Sequence, residues 1–174
     1  MTELYAEVVR HFEGEGPIAA EDVRRWIDSG DLLVWSAVYE LIGIAYERID
    51  PSFDSEQAIE FTRRYLLRCI EENPSPGELL HGGYEAAWEL ATLLKEWRTR
   101  GGKPADAIRG VAIDLEKVYR RGDTAAKTRV LCGVLEHAFE DAALRRHFSN
   151  WERGDAELRE AFKLAMEWGL SHEG

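Results

Sequence analysis

The segment from Gly82 to Trp97 constrains the fold of this chain more than any other. Wound as an α-helix, its apolar side chains cover well over half of the circumference. Only four polar side chains form a continuous stripe: Glu85, Glu89, Thr92 and Glu96. A helix that is apolar over this much of its surface is covered by neighbours on several sides. The pattern therefore predicts a central helix in which even Tyr84 and Trp88 are buried.

A second segment, between Asp31 and Ile49, has the same character. Its polar strip consists of Ser36, Glu40, Gly43 and Glu47, and most of the remaining positions are apolar. This composition predicts a second largely buried helix that packs beside the central one.

Signals that start and stop helices recur along the whole chain, whereas Asn-Gly and Asp-Gly hairpin turns are absent. Side chains suited to the N-cap position precede four of the apolar segments, at Thr2, Asp31, Asp54 and Asp123. Gln57 is placed to complete a capping box with Asp54. Ser75 and Glu78 have the same spacing, so the central helix starts either there or after Gly82-Gly83. We favour a helical turn over 76–81 that runs on into the central helix.

We therefore predict an all-α fold of about nine helices in one domain, residues 1–174, with Gly169–Gly174 frayed. The first helix is expected to run from Thr2 to about Glu13. Short joints between helices favour antiparallel helical hairpins. Both a stack of such hairpins and a closed, irregular bundle satisfy this pattern.

A stack of helical hairpins resembles a HEAT-type α-α superhelix, whose repeats are about 40–47 residues long. In addition, the segment Val134–Asp141, together with Trp151 and Met166–Gly169, is similar to the C-terminal parts of uncharacterised bacterial helical proteins. These resemblances imply a helical array and carry no particular activity.

The charge balance restricts the partners of the chain. With 33 acidic against 22 basic residues, the formal net charge is −11. Nucleic-acid binding and docking on an anionic membrane both need a basic surface, so we expect neither. An acidic chain does attract a basic partner, because opposite fields speed their encounter. The N-terminal segment lacks the basic start and apolar run of a signal peptide, so we expect a cytoplasmic location.

Two histidines stand near carboxylates. Glu78 and His81 have the Glu-x-x-His spacing of di-iron bundles, but those sites need the motif twice and this chain has it once. His137 lies near Glu136, Glu140 and Asp141, where it forms either an acid–base pair or a surface ion pair.

No nucleophile, phosphate-loop or dinucleotide motif is present. Cys69 and Cys132 lie in apolar helical patterns, as small buried hydrophobic residues do. We therefore predict no catalytic residue, no cofactor, no metal ligand and no enzymatic activity.

The sharpest anomaly is the set of carboxylates on the two apolar helices: Glu40 and Glu47 on one, Glu85 and Glu89 on the other. Buried carboxylates are rarely left without a partner. Three interpretations stay open. The two stripes meet in an acidic groove for a cation or a basic partner, they pair internally with arginines such as Arg98 or Arg109, or they face solvent.

The leading hypothesis is a non-enzymatic protein–protein interaction module, an adaptor or scaffold, that uses its acidic helical surface. One alternative is an immunity-type inhibitor of a basic toxin or nuclease. The other is a helical metal-dependent enzyme that uses His81 or His137. The sequence carries no signal of oligomeric state.

Overall fold

A computed structural model describes residues 2–172, and the protein is 77% helical. Within this range there is no β-strand. Ile18 and Ile49 form an isolated parallel bridge, in which the Ile18 N–H donates to the Arg48 carbonyl at 2.8 Å and the Asp50 N–H donates to the Ile18 carbonyl at 2.8 Å. The predicted all-α fold is confirmed. No helix in the described range is both long enough and apolar enough to cross a membrane.

Nine helical segments follow one another between Thr2 and His172. The first six are α1 (Glu3–Val9), α2 (Ala20–Asp28), α3 (Leu32–Ala45, then a 3-10 turn Tyr46–Arg48), α4 (Ser55–Glu72), α5 (Gly83–Arg100) and α6 (Gly102–Arg121). The next, α7, consists of Thr124–Thr128, a π-helical stretch Arg129–Leu135 and Glu136–Phe139. The last two are α8 (Ala142–Arg145, a 3-10 turn Arg146–Phe148 and Ser149–Glu152) and α9 (Ala156–Ser171).

The predicted N-caps are confirmed. Asp31 accepts from Leu33 N–H at 2.8 Å, and Asp123 accepts from Ala126 N–H at 2.8 Å. Asp54 and Gln57 form the complete capping box, because each side chain accepts the backbone N–H of the other. Thr2 caps α1 through a 3.3 Å bond from Tyr5 N–H.

Three predicted boundaries are wrong. First, α1 ends at Val9 rather than near Glu13. Second, residues 76–81 are not helical, and α5 begins at Gly83. The cap is formed instead by Glu85, whose carboxylate accepts the Gly82 N–H at 2.8 Å. Third, α9 continues through Gly169 to Ser171 because Gly169 is buried against Phe139; residues 173–174 lie outside the described range.

Contacts divide the chain into two compact units, of which the first comprises the chain as far as Tyr65 together with Ser75–His81. In this unit α1 and α2 pack against α3. Trp26 is fully buried, and Trp35 donates its indole N–H to the Ile27 carbonyl at 2.7 Å. Trp35 and Phe61 pack edge to face, and Phe61 stacks on Tyr65. The single-domain organisation stays a prediction.

The second unit comprises Leu66–Pro74 and the chain from Gly82 onward. The last turn of α4 is held by Arg129 of α7, which is only 5% exposed. Its guanidinium donates to the carbonyls of Ile70 at 2.7 Å and Glu71 at 3.2 Å. The last carbonyls of a helix have no partner within the helix and carry its negative dipole end, so a cation is favourable there.

Two side chains of the central helix are not where the periodicity predicted. Ala87, Leu90 and Leu94 are buried as expected, but Tyr84 is 43% exposed and Trp88 is 53% exposed. The neighbouring helices of this unit cover the alanine and leucine face of α5, and the two large rings stand at its edge. The predicted burial of Tyr84 and Trp88 is therefore wrong.

Substitution of two tryptophans checks this placement. Trp88→Ala should lower the free energy of unfolding by only about 1–2 kcal/mol, because the ring is half solvated. Trp151→Ala should lower it by about 3–5 kcal/mol, since that ring is fully buried. Urea unfolding measures both, and equal losses would contradict the assignment.

Candidate interaction surface

The second unit depends on a close approach between α7 and α5. A Cβ atom added to Gly133 would lie 2.5 Å from the Cβ of Ala87, which is closer than two carbon atoms can pack. Only glycine allows the two backbones to come this near. Gly133 lies in the π-helical stretch of α7, where i→i+5 hydrogen bonding alters the positions of successive side chains around the helix.

A second close contact joins α9 to α7. Gly169 of α9 rests directly on the backbone carbonyl of Phe139, and an added Cβ would clash with that carbonyl. The Phe139 ring is fully buried and packs edge to face against Phe148 and Phe162, at 5.3 and 5.2 Å between centroids. The helices α5, α7 and α9 are therefore fixed against one another by backbone contacts as well as by side chains.

Aromatic rings line the exposed edges of these three helices, and we call this set the aromatic surface: Tyr84, Trp88, His137, Trp168 and His172. The Tyr84 and Trp88 centroids are 6.2 Å apart, those of His137 and Trp168 are 6.5 Å apart, and Trp168 stacks on His172 at 4.1 Å. Trp88 and His137 line the same pocket. The rings thus form two clusters, one on α5 and one on α7 and α9, which meet at this pocket.

The pocket beside Trp88 has a volume of about 320 Å³ and is lined by Trp88, Ala91, Thr92, Lys95 and His137. Trp88 and Ala91 provide an apolar wall, and Lys95 and His137 provide a polar one. This volume lies at the lower end of the range for small-ligand pockets, so one large side chain of a partner fits.

The polar wall is fixed by Glu140. Its two oxygens contact Lys95 Nζ at 2.7 Å and His137 Nδ1 at 3.1 Å. Partial burial raises the pKa of Glu140, but the hydrogen bonds from Lys95 and His137 outweigh it, so the pKa lies below its ordinary value. Glu140 is therefore ionised at neutral pH, and it neutralises the charge of Lys95.

The predicted contact between His137 and a nearby carboxylate is present, but no activated nucleophile accompanies it. The Thr92 hydroxyl donates to the Trp88 carbonyl at 3.0 Å. Burial raises the pKa of the Cys132 thiol, and Glu136 raises it further, so Cys132 is a thiol rather than a thiolate at neutral pH. Neither cysteine forms a disulfide.

The four glutamates of the predicted groove fall in different units. Glu85 is exposed and Glu89 is half-buried, and both flank Trp88 along α5 in the second unit. Glu40 is half-buried on α3, and Glu47 is exposed in the 3-10 turn that follows, both in the first unit. The groove that joins all four stays a prediction.

Internal pairing with arginines was the second interpretation of these glutamates. Arg98, one of the arginines expected to neutralise these glutamates, pairs instead with Asp141 at 2.5 Å.

His81 is held by Tyr65 rather than by Glu78. The Tyr65 hydroxyl lies 3.0 Å from His81 Nδ1 and accepts the His81 backbone N–H at 3.2 Å. Because residues 73–82 are not helical, the Glu78–His81 spacing does not place the two side chains on one helix face. Among residues 2–172, no group of three or more His, Cys, Asp or Glu side chains is arranged to hold a metal ion.

The aromatic surface was missed because hydrophobic periodicity does not distinguish a covered apolar face from an exposed one. A signal was present at Gly133 and Gly169, which interrupt apolar helical segments and mark close approaches. Those glycines indicate which helices are adjacent, and hence which side chains remain at the edges.

Comparison with known proteins yields no relative: no family model, no curated protein and no solved structure matches this chain. What the surface binds must therefore be inferred from its own residues.

Two glycine substitutions test the close approach of α5 and α7. Gly133→Ala should lower the free energy of unfolding by about 1–3 kcal/mol, because the new methyl group overpacks against Ala87. Gly43→Ala is the matched control: Gly43 is exposed on α3 with nothing within 4 Å of an added Cβ, so alanine should stabilise by up to about 1 kcal/mol. If urea unfolding shows stabilisation by both, the close approach is absent.

The Glu140 contacts predict a pH dependence. The pKa of Glu140 is lower in the folded chain than its ordinary value of 4.5, so its stabilising contribution is complete above pH 4.5. It is lost as the pH falls below that value and through the folded pKa. Glu140→Gln should therefore destabilise by about 1 kcal/mol at pH 7 and by progressively less as the medium is acidified below 4.5.

Chemical denaturation across pH 3 to 7 measures this difference. Glu160→Gln is the control, because Glu160 is exposed on α9 and forms no ion pair in the described part of the chain. A Glu140→Gln deficit that persists unchanged in acid would show that the carboxylate charge is not what stabilises this site.

Proposed function

We propose that the protein is a non-enzymatic protein-binding module, and that its contact is the aromatic surface of the second unit. Its partner is a basic segment that carries one large apolar anchor side chain. The observation that carries this proposal is Trp88, which is 53% exposed beside an open pocket of about 320 Å³.

The exposure of these rings supports a binding role. Tyr84, Trp88 and Trp168 are all exposed, and their two ring clusters meet at the pocket that Trp88 and His137 line. Contiguous exposed apolar patches are uncommon on monomeric proteins and mark interaction sites. Tryptophan and tyrosine are also the side chains most enriched among interface residues with large energetic effects. The pocket next to Trp88 supplies the concave site that an anchor residue needs.

The charges around the aromatic surface support a basic partner. Glu85 and Glu89 flank Trp88 on α5, and Glu136 precedes His137 on α7. The nearby cation, Lys95, is already neutralised by Glu140. With a net charge of −11, the whole chain adds long-range attraction for a cationic segment. An arginine or lysine of the partner would in addition stack favourably on the Trp88 face.

The proposal includes two forms. As an adaptor, the protein binds a short basic segment, and a HEAT-like stacking of its helical hairpins would present the contact face. As an immunity-type inhibitor, it covers the basic face of a folded toxin or nuclease with the same surface. A cytoplasmic location belongs to both forms.

A displayed library of random peptides tests the chemistry of the partner. We expect peptides selected on the full chain to carry one large apolar residue flanked by lysine or arginine. Their binding should weaken at least about tenfold in Trp88→Ala and about threefold in Glu85→Gln, and it should weaken as salt is raised.

The matched control is Ile44→Ala, which removes another exposed apolar side chain, on α3 of the first unit. Its affinity for the selected peptides should equal that of the unmodified chain. Selection of acidic peptides, or binding that Trp88→Ala leaves unchanged, would refute the proposal. Binding of basic folded nucleases in preference to the peptides would favour the inhibitor form.

A further inference from the structure

A second cavity lies between α6 and α8, within the second unit. It has a volume of about 380 Å³ and is lined by Arg109, Ile113, Arg146, His147, Ser149 and Asn150. Five of these six side chains carry a hydrogen-bonding group, and none is a carboxylate. The volume falls within the range of small-molecule sites.

The walls of this cavity are fixed by the packing of α8 on α6. The fully buried Trp151 donates its indole N–H to the Ala112 carbonyl at 3.2 Å and packs edge to face on Tyr119. The Asn150 amide donates to Glu116 at 2.5 Å. The cavity is therefore formed before any ligand binds, which reduces the entropy that a ligand must lose.

The two arginines of the cavity have no carboxylate partner, whereas three other arginines of the same unit are paired. Arg98 pairs with Asp141, Arg120 with Glu116 and Arg121 with Glu71. The guanidinium groups of Arg109 and Arg146, in contrast, form no ion pair or hydrogen bond with any residue of the described range. In a chain with 33 acidic and 22 basic residues, two guanidinium groups that line one cavity without a carboxylate make it cationic.

We propose that this cavity binds a small phosphate monoester, with the phosphoryl group between Arg109 and Arg146. Two guanidinium charges match a dianion better than a monovalent carboxylate, and the planar fork of donors fits phosphate oxygens. Ser149 and Asn150 supply further polar contacts. Ile113, which is 43% exposed, and the His147 ring supply an apolar and aromatic wall for the organic group.

This site is independent of the aromatic surface, because the two share no residue. Trp88→Ala should therefore leave phosphate binding unchanged, and loss of both Arg109 and Arg146 should leave peptide binding at the aromatic surface unchanged. A negative result for phosphate binding in the cavity therefore does not contradict peptide binding at the aromatic surface, and the reverse also holds.

Isothermal titration calorimetry of the full chain tests the inference with defined probes: glucose 6-phosphate, AMP, inorganic phosphate, and the unphosphorylated glucose and adenosine. We expect at least one monoester to bind more tightly than inorganic phosphate, and the unphosphorylated compounds not to bind. Arg109→Gln and Arg146→Gln should each weaken monoester binding at least about tenfold.

The matched control is Arg153→Gln, because Arg153 is exposed in the same unit, forms no ion pair in the described range and does not line the cavity. The affinity of Arg153→Gln for the monoester should differ from that of the unmodified chain by less than about twofold. Circular dichroism confirms that each variant is folded. The inference is overturned if the unmodified chain binds no monoester at about 10 mM, if inorganic phosphate binds as tightly as the monoesters, or if Arg153→Gln weakens binding as much as Arg146→Gln.

Discussion

The close approach of the Gly133 backbone of α7 to the Ala87 methyl group of α5 is the constraint on which the aromatic surface depends. The same π-helical stretch contains Arg129, whose guanidinium donates hydrogen bonds to the last carbonyls of α4. This one segment of α7 therefore contacts both α4 and α5. Because α7 sits so close to Ala87, it covers the small-residue face of α5. Trp88, one position further round the helix, is left at the edge of that contact.

The tryptophans differ in how much of each ring is buried. Trp26 and Trp151 are fully buried and contribute their area to folding. Trp88 is half solvated, so burial of the rest of its ring by a partner would stabilise a complex by about 2–3 kcal/mol at 25 cal/mol per Å². A polar residue at this position would cost the fold less than the loss of a fully buried ring and would remove that gain. In the proposed function, the carboxylates that flank Trp88 favour a basic partner. The cavity of Arg109 and Arg146 lies on other helices, and we propose that it binds an anion.

Much of the fold could be predicted from local sequence. Asp31, Asp54 and Asp123 begin helices because their carboxylates accept backbone N–H groups a few residues ahead, which is a purely local interaction. The exposure of Trp88 could not be predicted, because it depends on which helix covers which face. The groove of Glu40, Glu47, Glu85 and Glu89 was one of three interpretations of where these carboxylates fall on two apolar helices. The cavity of Arg109 and Arg146 joins residues of α6 and α8 that no motif connects.

The most direct test of the central claim is hydroxyl-radical footprinting, in which mass spectrometry reports the oxidation rate of each tryptophan separately. The account predicts rapid oxidation of Trp88 in the free chain, slow oxidation of the buried Trp26 and Trp151, and protection of Trp88 when a basic segment with an apolar anchor is bound. Oxidation of Trp88 as slow as that of Trp151 in the free chain, or a Trp88 rate unchanged by the bound segment, would contradict it.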